Sequence, residues 1–373
     1  MNSFGKNLVL TTFGESHGVA VGGVLDGFPA NFSIDFQKIN QELERRKTGK
    51  FSFSSQRAEN DEVEFLSGIF EGKTTGAPIA FIIKNNDVKS TDYEHIKDVF
   101  RPGHADFTYQ QKYGIRDYRG GGRASARETV VRIVAGALAK QFLQTKGITI
   151  FSYISQIGKI IENQHYTELN FDKIEQNPIF TPNTKTANLM LQEIENAQKN
   201  GDSVGGVITC VIRGVEIGVG EPIFDKLQAY LAFAMMSIPA AKGFDYGCGF
   251  DAAKMLGSEH NDVFAASLFL RMQESLDVQT IAGQARNDSG IKTKTNNCGG
   301  ILGGISTGSD IYFRVAFKPT SSIAKAQQSL DIQGNNRIIQ IKGRHDVCIV
   351  PRALAVVEAM AAMTIMDFII KKS

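Results

Sequence analysis

Apolar and polar residues alternate at the start of the chain, so Asn7 to Thr12 and Val19 to Leu25 read as two strands around Gly14-Glu15-Ser16-His17-Gly18. After a turn at Gly27 to Asn31 the period lengthens. Ser33 and Asp35 introduce a helix predicted over Phe36 to Arg46, with Ile39 and Leu43 on one face and Arg45-Arg46-Lys47 offsetting the dipole at its end. Strand-like segments Glu62 to Phe70 and Ile79 to Ile83 flank Glu71-Gly72-Lys73-Thr74-Thr75-Gly76, which predicts a hairpin. Apolar-periodic runs at Val130 to Phe142 and Arg352 to Ile370 predict two further helices. Between them Gln156 to Asn200 turns polar, with one helix near Ala187 to Lys199, and reads as a joint between two halves; His165 within it reads as surface.

The halves, about 1–155 and 201–373, echo one another within a single domain. Gly68 to Gly76 recurs as Gly300 to Gly308, each before an alternating strand that ends in lysine (Lys84, Lys318). Val21-Gly22-Gly23-Val24 recurs as Val204-Gly205-Gly206-Val207, and Gly122-Arg123 before one helix recurs as Gly343-Arg344 before another. An internal duplication and chance recurrence of glycines both account for this.

Composition narrows the function classes. Apolar residues make up 42% of the 373, ample for a core, and 41 Lys and Arg against 39 Asp and Glu leave no general attraction for nucleic acid. Any positive site is therefore local. Cys210, Cys248, Cys298 and Cys348 are widely spaced without a C-x-x-C pair, which argues against a zinc knuckle, a redox dithiol or a disulfide framework; no metal is expected, and the thiols fit a reducing cytoplasm. Ala353 to Ile370 comes nearest to a membrane span but carries Glu358 and Asp367, and no signal peptide precedes Val9.

The candidate chemistry centres on Arg119-Gly120-Gly121-Gly122-Arg123-Ala124-Ser125-Ala126-Arg127-Glu128-Thr129. Its glycines permit close backbone approach, Ser125 and Glu128 have capping-box spacing, and Arg123 and Arg127 flank the helix start, which makes an anion site. His17 lies between glycines at a strand end, and His104 follows Pro102 and Gly103; both are candidate acids or bases. Thr48 to Asn60, with Lys50 and Arg57, reads as a basic lid. The spacing of a phosphate loop is missing around Lys73, and no strand-GxGxxG-helix pattern occurs.

Six motifs then resemble, in order, those of the chorismate synthase family: Gly14 to Gly18, Arg101-Pro102-Gly103-His104-Ala105-Asp106, Gly122 to Thr129, Gly299 to Gly308, Lys318-Pro319-Thr320-Ser321-Ser322 and Gly343-Arg344-His345-Asp346. The resemblance implies an α+β fold, a β-α-β sandwich with helices between antiparallel sheets, assembled as a homotetramer. It implies a lyase that eliminates phosphate from 5-enolpyruvylshikimate 3-phosphate in a 1,4-anti sense to give chorismate, with reduced FMN as cofactor. The C6 hydrogen is too weakly acidic for a side chain alone, whereas a reduced flavin can lend electron density and recover it. Carried over by motif, flavin contacts fall on Arg123, Ala124, Ser125, Pro239, Ala240, Gly303, Lys318, Pro319, Thr320, Ser321, Ser322 and Arg344. Contacts to the small anionic substrate fall on Ser16, His17, Arg46, Arg101, Ala126, Arg127, Arg344 and Asp346, with His17, His104 and Asp346 as catalytic residues. A second lid arginine of the family falls on Ser52, where Lys50 or Arg57 can substitute, and no residue is assigned to NADP.

Two rival readings use the same residues differently. An NAD(P)H-dependent flavin reductase would share the FMN site but needs no arginine cluster, and NADPH consumption without substrate would reveal it. An RNA-binding protein needs a basic stripe with aromatics, for which Arg45 to Phe53 is the one candidate. No reductase domain is visible, so a separate flavin reductase is the expected partner.

Overall fold

The computed structural model describes residues 1–47, 53, 60–86, 93–94, 96–266, 291–341 and 346–370. Lys50, Ser52, Arg57 and most of the expected lid lie outside them, as do Arg344 and His345.

The first sheet is antiparallel and contains β1 (Ser3–Phe4), β2 (Val9–Phe13), β3 (Ala20–Asp26), β4 (Val63–Phe65) and β5 (Ile79–Lys84) in the order β1-β2-β3-β5-β4. Val21, Leu25, Ile79, Phe81 and Ile83 are buried, as the alternation requires. Helix α1 (Phe36–Arg46) starts where Asp35 accepts hydrogen bonds from the amides of Gln37 and Lys38. After the short helix α2 (Asp106–Tyr113) comes α3 (Thr129–Thr145).

The second sheet contains β6 (Thr149–Ile157), β7 (Ile160–Ile161), β8 (Gly206–Arg213), β9 (Ala241–Tyr246) and β10 (Ile311–Phe317) in the order β9-β10-β8-β6-β7, again antiparallel. Helices α4 (Thr184–Lys199) and α5 (Leu227–Met236) lie within this half, and α6 (Val350–Ile369) ends the described chain. The architecture is α+β, with α3 and α6 stacked between the sheets. Val131 of α3 packs on Gly23 of β3, and Gly136 of α3 backs onto Ala359 of α6 so closely that an added Cβ would stand 2.3 Å from the alanine methyl. On the far side the Ser152 amide of β6 donates to Glu358 of α6 at 3.0 Å.

The run that came nearest to a membrane span is thus a core helix. It is buried from Val350 to Asp367 apart from Arg352, and its two carboxylates both have partners: Glu358 faces Ser152, Arg45 and Lys140, while Asp367 accepts from the amides of Lys6, Asn7 and Leu8. Among the described residues no helix is long and apolar enough to cross a membrane.

The two sheets share one chain path. Apart from the short edge strands β1 and β7 and the segments inserted around them, in each sheet two strands, a helix, a third strand, a short hairpin and a fourth strand are followed by a central helix, and the spatial order is first, second, fourth, third. Even the hairpins agree: Thr75 donates to Gly68 at 3.0 Å and Thr307 donates to Gly300 at 2.9 Å. Two boundaries differ from the sequence expectation. The first half does not reach residue 155, because β6 pairs with β8 and belongs to the second sheet. Most of the polar segment 156–200 is not a joint but an insertion between β6 and β8 that carries the short edge strand β7 and is held down by buried Ala187, Met190 and Ile194 on one face of α4.

Candidate active site

One cavity of about 1440 Å³ opens where loops from both sheets meet the N-terminal end of α3. Single small-ligand pockets run to about 1,000 Å³, so this one has room for two. Among the described residues ten Arg and Lys side chains line it against five Asp and Glu, although the chain as a whole is nearly neutral. The positive charge is therefore local to the cavity.

Its floor is the glycine triplet. Gly120, Gly121 and Gly122 all adopt positive φ (63°, 92° and 54°), which side chains resist. The absence of a Cβ also makes room: one added at Gly120 would stand 2.1 Å from Cε1 of His17, and one at Gly121 would stand 3.0 Å from Cε1 of His104. Adjacent residues of one loop thus seat the two histidines, which are 87 positions apart in the sequence (104 − 17).

The helix start differs from the expected capping box. Ser125 Oγ accepts from the Arg127 amide at 3.4 Å, but Glu128 pairs with Arg132 at 2.8 Å instead of returning to the Ser125 amide, which donates to Gly122 at 3.3 Å. Two 3₁₀ turns, Gly122–Ala124 and Ala126–Glu128, precede the α-helix, because three left-handed glycines bring the chain in at an angle a simple cap does not accommodate.

Ser16 and His17 are buried behind Gly120 and do not themselves line the cavity; Ser16 Oγ lies 3.2 Å from His17 Nδ1, and the His17 ring meets Tyr93 edge-on. Asn85, at the end of β5, closes this loop by donating to the carbonyls of Glu15 and Gly18 at 3.0 and 2.8 Å, while its own oxygen accepts from Arg127 Nε at 2.8 Å. Arg127 also donates to the Lys84 carbonyl at 3.1 Å and to Asp61. Asp61 is shared, since Arg46 Nη1 lies 3.4 Å away. Arg46 is held further by Thr129 Oγ1 and the Ala126 carbonyl. Burial, followed by the positive charges of Arg352 and Arg127, outweighs Asp61 and pushes the Arg46 pKa down to about 10.

Around His104, Asp106 receives the Arg101 amide at 3.0 Å, Arg101 Nε at 2.7 Å and Arg101 Nη2 at 2.8 Å. Arg116 approaches it at 3.1 Å and His104 Nδ1 lies at 2.9 Å. Burial would raise the Asp106 pKa, but the hydrogen bonds from Arg101 and His104 prevail and hold it far below the usual carboxylate range.

The opposite wall comes from the second sheet. Lys318, just after β10, reaches across to the Gly103 carbonyl, and burial together with Lys242 lowers its pKa. Pro319, Thr320, Ser321 and Ser322 follow it along the cavity. Pro239 and Ala240 face them, with Ala240 at φ 68°, a left-handed alanine of the strained kind found at ligand sites. Asp346 pairs with Arg352 at 2.6 Å, and its carbonyl accepts from Thr320 Oγ1 at 2.9 Å. Arg123, at the α3 end, turns to Thr12 Oγ1 at 2.6 Å.

The cavity therefore gathers Arg46, Arg101, His104, Arg123, Ala124, Ser125, Ala126, Arg127, Pro239, Ala240, Asp346 and the Lys318 to Ser322 run. It does not gather Gly303, which sits at the turn of the Ile301–Leu302 and Ile305–Ser306 hairpin away from the lining. Asp61, Asn85, Arg116 and Arg352 escaped the sequence reading. Of these only Arg352 carried a signal, as a cation at the start of a helix that follows Gly343-Arg344-His345-Asp346 closely. Among the described residues no cluster of His, Cys, Asp and Glu could hold a metal.

Comparison with known proteins places these features in a family. The family model described as chorismate synthase matches residues 8–370. A chorismate synthase of Christiangramia forsetii is 53% identical over 367 residues, covering 98% of this chain and 97% of that protein. One of Phocaeicola vulgatus is 52% identical over the same shares. A solved crystal structure of chorismate synthase superposes with a TM-score of 0.73 at 31% identity, covering 98% of this chain and 92% of that one. With matches that run from end to end and a fold that agrees, the chain belongs to the chorismate synthase family.

Proposed function

We propose that this lyase converts 5-enolpyruvylshikimate 3-phosphate to chorismate and phosphate by 1,4-anti elimination, with reduced FMN bound in the same cavity as the substrate. The observation that carries the reading is one cavity with volume for two ligands, lined among the described residues by ten cationic side chains, into which five of the six separated motifs converge. A flavin phosphate and ring system fit what the wall offers: the cations of Arg123 and Lys318, the hydroxyls of Ser125, Thr320, Ser321 and Ser322, and the close-lying backbone of Ala124, Pro239, Ala240 and Pro319. Arg344 joins this set through its motif. Reduced flavin, when bound, supplies electron density to the departing C–O bond and recovers it as the C6 hydrogen leaves.

The protein's own part is binding, orientation and proton handling. Arg46, Arg101 and Arg127, with Ser16, Ala126 and Arg344, would hold the substrate's phosphate and two carboxylates; Arg101 and Arg127 enter with their forks already fixed by Asp106 and by Asn85 and Asp61. His17, seated against Gly120, would serve the leaving phosphate oxygen, and His104, seated against Gly121, would hold a proton on the flavin side. Asp346, held by Arg352, offers a carboxylate as proton acceptor.

The same reading includes a cytoplasmic homotetramer supplied with reduced flavin by a separate NAD(P)H-dependent reductase. Four free cysteines and exposed apolar side chains such as Phe224, Phe250 and Phe264 support compartment and assembly. We also infer that the two halves descend from one repeated unit, which the shared strand order supports. Anaerobic turnover followed by chorismate absorbance tests the chemistry. Dithionite-reduced FMN should restore activity that oxidised FMN alone does not support, and equal rates in air with oxidised flavin would refute it.

A further inference from the structure

We propose that Asp106 is a positioning residue that fixes the tautomer of His104, holding its neutral-form proton on Nδ1 so that Nε2 is the nitrogen that exchanges protons. This rests on the catalytic role proposed for His104.

The argument is geometric. His104 Nδ1 lies 2.9 Å from Asp106 Oδ1 and 3.2 Å from Arg101 Nη2. A guanidinium can only donate and an ionised carboxylate can only accept, so the two neighbours demand opposite tautomers. The carboxylate contact is the shorter. Arg101 Nη2 is also already engaged, donating to the same Asp106 oxygen at 2.8 Å. Were Nδ1 unprotonated, its lone pair would face a buried carboxylate oxygen at hydrogen-bond distance, a repulsion that a side chain only 3% exposed cannot relieve by turning to solvent.

The carboxylate is itself immobilised. Arg101 holds it through its amide and two guanidinium nitrogens, and Arg116 Nη1 lies 3.1 Å from its Oδ1 while Arg116 Nη2 donates to the carbonyls of Lys97 and Val99. Asp106 therefore cannot swing away from the ring. Nε2 and Cε1 are left on the edge that meets Gly121, a cavity-lining residue, where an added Cβ would lie 3.1 Å from Nε2. The logic of hydrolytic triads, in which a buried carboxylate orients an imidazole by its far nitrogen, operates here between residues two apart, His104 in the loop and Asp106 at the start of α2.

The test is ¹⁵N NMR of the full-length protein labelled selectively at its six histidines, with the His104 resonance assigned by its loss in His104→Ala. Across pH 6 to 9, wild-type His104 should carry its neutral-form proton on Nδ1. Asp106→Asn, which can present either an oxygen or an NH₂ to the ring, should abolish that preference and lower kcat by roughly 10²-fold or more, with FMN affinity changed much less. A wild-type proton on Nε2, or an unchanged tautomer in Asp106→Asn, overturns the proposal. If Asp106→Asn does not fold, the wild-type spectrum decides alone. Wild-type turnover by His104→Ala would sink the catalytic reading while leaving the tautomer result standing, so the two failures are distinguishable.

Discussion

Arg127 is the most informative residue to remove, because the structure shows what its guanidinium already does before any ligand arrives. Its side chain is 3% exposed, and it donates to Asn85 at 2.8 Å, to the Lys84 carbonyl at 3.1 Å and to Asp61. In Arg127→Ala, Asp61 keeps Arg46 as a partner, so no carboxylate is orphaned, and the fold should lose less than the ~3–5 kcal/mol typical of breaking a buried pair. The incoming substrate has no such reserve. Leaving one of its anionic groups without a desolvated partner should cost about 2–5 kcal/mol, roughly 30-fold to several-thousand-fold in Kd. FMN should lose far less, since Arg123 and Lys318 line the cavity independently of Arg127. Isothermal titration of each ligand separately measures both terms, and thermal unfolding checks the fold. Arg127→Lys should fall between, because an ammonium cannot serve Asn85, Lys84 and Asp61 from one plane. A loss confined to FMN, or equal losses for both ligands, would refute the assignment.

Three further outcomes are expected. His17→Ala and His104→Ala should each lower kcat strongly in single-turnover measurements from pH 6 to 9, with FMN binding intact and little rescue by glutamine; wild-type rates in either variant would return that histidine to a turn residue. Gly120→Ala should act like a weaker His17 variant, since its methyl would need the space 2.1 Å from the His17 ring and its φ of 63° resists a side chain; unaltered kcat would show that the ring tolerates displacement. Glu358 should contribute to acid sensitivity. Arg45 and Lys140 overcome its burial and hold its pKa at about 2 against 4.5 unfolded. Its stabilisation, about 3 kcal/mol, is therefore complete above pH 4.5 and disappears as pH falls toward 2. Urea midpoints of wild type and Glu358→Gln should converge on acidification, and a constant gap would contradict this.

What the sequence disclosed depended on how local the determining interaction is. Asp35 caps α1 from one residue before it, so the start at Phe36 could be read directly. The capping box at Ser125 could not be judged in the same way, because the glycines ahead of it set the approach of the chain and Arg132 competes for Glu128. The β6 pairing is decided by a strand some fifty residues later, which is why a polar insertion looked like a joint. The site divides along the same line. Short motifs carried Arg101, His104, Arg123, Arg127 and Lys318, whereas Asp61 and Asn85 matter only through side chains folded against them, and neither stands in a distinctive pattern.

The two carboxylates of α6 lie nine residues apart and hold opposite sheets, Glu358 through the Ser152 amide and Asp367 through the amides of Lys6, Asn7 and Leu8. The helix therefore acts as a cross-tie, and sliding one sheet past the other would strip a buried anion of its donors at one end. The cavity draws Glu15 and Gly18 from the first sheet's loops and Lys318 to Ser322 from the second's. Its gauge is consequently set in the core, more than in the loops that carry the chemistry. A substitution at either carboxylate, neither of which lines the cavity, would be felt as a change in how well the two ligands are held to a common spacing.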